Sequence, residues 1–146
     1  MAEESPKRHP IGRFDAEAKR AFSTAQRDAE GRGGKVLVSG LLLCAAANSE
    51  GSLSARLLGA LDTDLDALNA AVDAEWTARS HWMQDQPFTV VREAFEAVER
   101  DSPPDSELHL DMLLANMLRF PDSMASRVAW RVGKEPSAVA ERLMAK

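Results

Sequence analysis

The sequence predicts an all-α protein of eight helices, arranged as two tandem four-helix repeats in one pseudo-two-fold bundle. Three observations predict it. The first is an internal repeat. Phe14, Ala21, Phe22 and Ala25 return as Phe88, Ala94, Phe95 and Val98, Leu41-Leu42 as Leu113-Leu114, and Arg56-Leu57 as Arg127-Val128. The spacing is 74 residues from Phe14 to Phe88 and 71 from Asp64 to Glu135, the drift expected when loops gain and lose residues. The second is composition. Ala and Leu dominate, aromatics are 5% and Tyr is absent, which favours helix over sheet. The third is the lack of any alternating strand pattern or hairpin signal.

Each element has a local reason. Residues 1–12 are charged and carry no apolar core, and they read as a flexible leader ahead of a domain spanning 13–146. Phe14, Ala18, Ala21, Phe22, Ala25 and Ala29 keep helical spacing, with Glu17, Lys19, Arg20, Arg27 and Asp28 on the other sides. Gly31, Gly33 and Gly34 stop that helix. A short apolar helix follows over about Val38 to Ala47. Gly51-Ser52 breaks it, and Ser52 can cap a third helix ending near Leu61. Asp64 caps a fourth that runs toward Trp76, with Leu65, Leu68, Ala71 and Val72 apolar.

A polar connection, 77–87, separates repeat 1 (about 14–76) from repeat 2 (about 88–145). Phe88, Val91, Ala94, Phe95 and Val98 form the fifth stripe, and Pro103-Pro104 blocks its continuation. Leu110, Leu113, Leu114, Met117 and Leu118 form the sixth. Pro121-Asp122-Ser123 starts the seventh helix, and Glu135-Pro136 places Pro where a first helical turn tolerates it. Trp130 falls where the first repeat has Gly59, which breaks the internal symmetry.

Composition bounds function. With 146 residues, 45% apolar and 28% charged, the chain can bury a core without staples. A net charge of −5 and the lack of a basic run argue against a nucleic-acid surface, including a helix-turn-helix DNA binder. No stretch approaches the ~18 apolar residues that span a bilayer, so the chain reads as cytoplasmic. Cys44, the single cysteine, sits in an apolar run and reads as a buried, inert thiol.

Motifs for catalysis are missing. Gly31-Arg32-Gly33-Gly34-Lys35 lacks the spacing and the hydroxyl of a phosphate loop and reads as a helix-to-helix turn. Asp62, Asp64 and Asp66 lack the glycine and terminal Glu of a calcium loop and suit a capped helix start. His9, His81 and His109 show no metal-ligand spacing, and no nucleophile elbow accompanies the serines. The expectation is no enzyme, no metal and no cofactor. Trp76, Trp82 and Met83 flank the connection. They suit either a partner-contact patch or the packing of that connection onto the bundle.

Several of these segments carry a resemblance. Gly12-Arg13-Phe14, the alanine-rich first helix, Leu41-Leu42-Leu43, the Gly51-to-Leu61 segment and the Asp64-to-Leu68 helix start resemble a Clp N-terminal repeat. Phe88-Thr89, Leu113-Leu114 and Val128 match it in the second half. The chain thus resembles, over about 12–145, the N-terminal (Clp R) domain of ClpA/ClpC-type AAA+ unfoldases, here without the ATPase module, either as a free-standing domain or as a piece of a longer protein. The resemblance implies a double four-helix fold that serves as adaptor, decoy or substrate receptor in protein degradation. Its protein partners would be a Clp unfoldase, its adaptors or its substrates. A helical regulator or scaffold that kept the fold and lost Clp partners is the alternative.

The resemblance also implies a ligand site. ClpC-type domains bind phosphorylated arginine with a Thr at the start of the first helix of each repeat and a Glu near the start of the second. The acid pairs with the guanidinium, and hydroxyl and backbone donors hold the phosphate. Here Asp15 stands at the first Thr position and Ser39 at the first Glu position. Asp15 repels a phosphate, and Ser39 cannot neutralise a guanidinium. Thr89 and Asp111 fill the corresponding places in the second half, with Asp one methylene shorter than Glu. Surviving phosphoarginine binding is therefore expected around Thr89 and Asp111. A helix-capping Thr and a first-turn acid are the structural alternative.

Overall fold

The computed structural model describes residues 10–32, 39–49, 52–78, 89–104, 106–121 and 123–145. Among these described residues a 3₁₀ turn, Pro10–Arg13, leads into eight helices in the expected order. They are α1 (Ala16–Gly31), α2 (Ser39–Asn48), α3 (Ser52–Leu61), α4 (Leu65–Thr77), α5 (Thr89–Asp101), α6 (Leu110–Met117), α7 (Met124–Arg131) and α8 (Pro136–Met144). Helical backbone thus reaches back to Pro10, inside the segment expected to be a leader; residues 1–9 lie outside the described residues.

Capping fixes several boundaries. Asp15 accepts the Ala18 N–H at 2.9 Å, Asp64 the Ala67 N–H at 2.8 Å, and Ser123 the Ser126 N–H at 3.1 Å. Each satisfies a donor that the first turn leaves unpaired. Pro136 opens α8, where its missing N–H costs nothing.

The core forms one cluster. In α1, Ala18, Ala21, Phe22, Ala25 and Ala29 face inward at helical spacing. In α2, every residue from Ser39 to Ala47 is buried, so this helix is apolar on all sides and sits at the centre. It packs on α1, α3, α4, α6 and α7. Phe22, Leu42, Leu57, Leu68, Phe95, Leu114 and Val128, drawn from the internal repeat and the apolar helix positions, are buried. Phe14 meets Phe22 and Phe95 edge-on, with centroids 5.3 and 5.4 Å apart, so one aromatic group joins the start of the chain, α1 and α5.

Contacts cross between the first four helices and the last four. α3 packs on α8 and α4 on α7, a pair that a two-fold exchange would interconvert. α2 packs on α7 without an equal contact of α6 on α3 among the described residues, so the crossings are not all equivalent. Buried Glu75 on α4 receives the Arg131 guanidinium of α7. Local turn geometry does repeat. Asp62 after α3 and Gly133 after α7 both take positive φ, +51° and +84°, 71 positions apart. The next residue closes the same bond in each, Thr63 N–H to Leu58 O at 3.2 Å and Lys134 N–H to Ala129 O at 3.0 Å. Asp tolerates this conformation better than most side chains, and Gly adopts it freely.

Gly40 marks the closest approach of α2 to α7. A Cβ there would lie 2.4 Å from the Met124 Cγ. The adjacent Ser39 hydroxyl accepts the Ala125 N–H at 3.1 Å, so α2 helps cap the start of α7. No helix among the described residues is long and apolar enough to cross a membrane.

Candidate functional site

Two chain segments far apart in sequence meet ahead of α1 and α6. Phe14 and Leu108 form an isolated parallel bridge. The Leu108 N–H donates to Arg13 O at 2.9 Å and the Asp15 N–H to Leu108 O at 3.1 Å. The Arg13 guanidinium braces the junction by donating to Pro103 O at 2.9 Å and Ser106 O at 3.1 Å. Phe14 and Leu108 point into the core. Side chains alternate along extended backbone, so the neighbours Asp15, Glu107 and His109 are left toward solvent.

Beside this junction opens a cleft of about 190 Å³, lined by Asp15, Glu17, Ser52, Leu53, Arg56, His109, Leu110 and Asp111. The first turns of α1, α3 and α6 all reach it, which favours acids there through the helix dipole. Asp15 uses one carboxylate oxygen to cap α1 and the other to meet His109 Nδ1 at 2.8 Å. The hydrogen bond to Asp15 holds the His109 pKa above its ordinary value, against the opposing effect of burial; the charges of Asp15, Asp111 and Glu107 add to the rise. Asp111 accepts its neighbour's Met112 N–H at 2.7 Å and binds Arg56 Nη1 at 3.2 Å. The second arm of Arg56 donates to Leu143 O at the end of α8. Three carboxylates thus share the cleft with one guanidinium and one imidazole, an arrangement suited to recognising charged or polar groups.

The structure distributes the expected site residues differently from their pairing in sequence. Asp15 and Asp111, expected in separate halves, line the same cleft. Ser39 lies away from it, fully buried against the start of α7. Thr89 is the first residue of α5, and its side chain lies outside the described residues. Asp111 is neither a free first-turn acid nor an open receptor for a guanidinium, because Arg56 of the same chain holds it. Trp76 is half-buried against the core with the Arg32 guanidinium 5.6 Å above its ring, while Trp82 and Met83 lie outside the described residues. Trp130 is 57% exposed on α7.

Arg56, Glu107 and His109 were not legible as site residues. Arg56 and Asp111 are 55 positions apart, and His109 and Asp15 are 94 apart. The bridge that unites them depends on tertiary packing rather than on any local spacing. Comparison with family models, with curated proteins and with solved structures finds no match for this chain.

Proposed function

We propose that the chain is a non-catalytic protein-interaction domain of the Clp protein-degradation system, acting as adaptor, decoy or substrate receptor. The observation that carries this reading is the repeated left-handed turn at Asp62 and Gly133, with its matching bonds, inside an ordered series of eight helices. It supports a duplicated four-helix unit, the feature on which the resemblance to Clp N-terminal repeats rests. In this reading the partners are a Clp unfoldase, its adaptors or its substrates, met in the cytoplasm. Affinity capture from a cytoplasmic extract tests it. Recovery of a Clp unfoldase or its clients is the expected result, and reproducible recovery of neither sinks the proposal.

Two observations favour the alternative, a helical regulator or scaffold that kept the Clp-repeat fold and lost Clp partners. Asp111 is occupied by Arg56, and Ser39 is buried. An incoming guanidinium would have to displace an internal one, and losing a charged hydrogen bond costs about 1.5–3 kcal/mol, more than tenfold in affinity. Calorimetric titration with free phosphoarginine should therefore give weak or no binding, with any residual signal lost in Asp111→Ala. Tight binding that survives Asp111→Ala and fails in Ser39→Ala would overturn this assignment.

A further inference from the structure

We propose that Asp15, Glu107 and His109 form a binding site for a divalent transition-metal ion of the zinc type, clasping the start of α1 to the start of α6. One donor atom from each residue lies within 4.8 Å of the others. The set is mixed, an imidazole with two carboxylates, and it draws on segments 94 positions apart. Around a tetrahedral zinc with bonds near 2.0–2.2 Å, ligand atoms stand about 3.3–3.6 Å from one another, so modest side-chain rotation closes the set.

The backbone already holds these donors in place. The bonds between Leu108 and the Arg13–Asp15 segment fix the two segments in register. Alternation about the buried Phe14 and Leu108 leaves all three donors toward solvent. Asp15 is fixed further because one of its oxygens caps α1, which leaves the oxygen facing His109 as the ligand atom. The exposed Glu107 side chain is left to order on binding. Two carboxylates balance the charge of a divalent ion. The guanidinium that lines the cleft, Arg56, is held by Asp111 and Leu143 O. The imidazole decides the metal class. Nitrogen donors suit zinc and its neighbours, whereas calcium and magnesium prefer oxygen sets. Three protein ligands leave a fourth position for water or a partner's side chain.

The test is calorimetric titration of the chelator-stripped 146-residue chain with zinc chloride, and with calcium chloride in parallel. Cobalt(II) absorption reports the coordination geometry. Saturable one-to-one zinc binding and a zinc-dependent rise in melting temperature are expected. Glu107→Gln and His109→Ala should each weaken binding about tenfold or more, as loss of a ligand contact must at least match loss of its support. Asp15→Asn should do the same while still capping α1. His81→Ala, a histidine outside the set, should bind as the parent does. Circular dichroism confirms that each variant is folded. No zinc binding, binding unchanged in both Glu107→Gln and His109→Ala, or tighter binding of calcium than of zinc would overturn the proposal.

Discussion

At the scale of single residues, burial decides chemistry. Cys44 is 8% exposed, and its Sγ lies 3.3 Å from Asn69 Oδ1 and from Asn48 Nδ2. Burial pushes its pKa up from 9.0 to about 11; Asp28 adds to the rise and Arg32 opposes it. The thiolate is the reactive form. Alkylation by iodoacetamide should therefore be slow in the folded protein and complete after denaturation, as mass spectrometry would read. The sign of the pH effect follows. The unfolded thiol ionises first, so the stability Cys44 contributes is present below pH 9.0 and lost as pH rises through about 11. Cys44→Ala should flatten that part of the alkaline fall; rapid labelling of the folded protein would show the thiol to be accessible. This residue was legible in sequence because an apolar run surrounds it. Ser39 was not. Its position suggested a degenerate ligand site, yet it is fully buried and its hydroxyl accepts a backbone N–H of α7, 86 positions away. Nothing local to Ser39 distinguishes those two roles.

At the scale of elements, the helices were legible where periodicity and caps agree. Asp64 caps α4, and Pro136 opens α8 as their types suggest. The short bridge at Phe14 and Leu108 left no such trace, since two lone extended residues make no alternating pattern. Glycines show how packing overrides propensity. Gly59 lies in α3 with nothing within 4 Å of a built Cβ, so Gly59→Ala should stabilise by about 0.5–1 kcal/mol through backbone entropy alone. Gly40 gains the same propensity term but meets buried Met124, with Cγ at 2.4 Å and Sδ at 2.6 Å. Overpacking of a tight core costs about 1–3 kcal/mol, so Gly40→Ala should be net destabilising by about 1–2 kcal/mol. Urea unfolding of the pair, at unchanged slope, measures both. A Gly40→Ala variant as stable as Gly59→Ala would mean that α2 and α7 separate without cost.

At the scale of the whole molecule, the question is whether the duplicated pattern makes two units or one. Each half carries four helices, but their apolar faces point at each other. α3 is covered by α8, α4 by α7, and the wholly apolar α2 rests on both α6 and α7. Arg56 of the first half reaches Asp111 and Leu143 of the second, and Arg131 of the second reaches buried Glu75 of the first. Cutting the chain at the connection would expose α2 on two sides and leave Glu75 without that guanidinium. A buried carboxylate deprived of its ionic partner is strongly destabilising, and a domain near 70 residues has little stability to spare. Residues 10–78 expressed alone should therefore show no cooperative thermal transition by circular dichroism, and residues 88–145 should behave alike. The intact chain should unfold in one transition. The sequence repeat pointed to two similar units, but not to this dependence, because periodicity shows which face of a helix is apolar and not which helix covers it. Mixing the two fragments supplies the decisive case. Recovery of helical signal and a single transition on mixing would place the stability in the shared interface. A fragment that melts cooperatively by itself would show instead that each four-helix unit closes its own core.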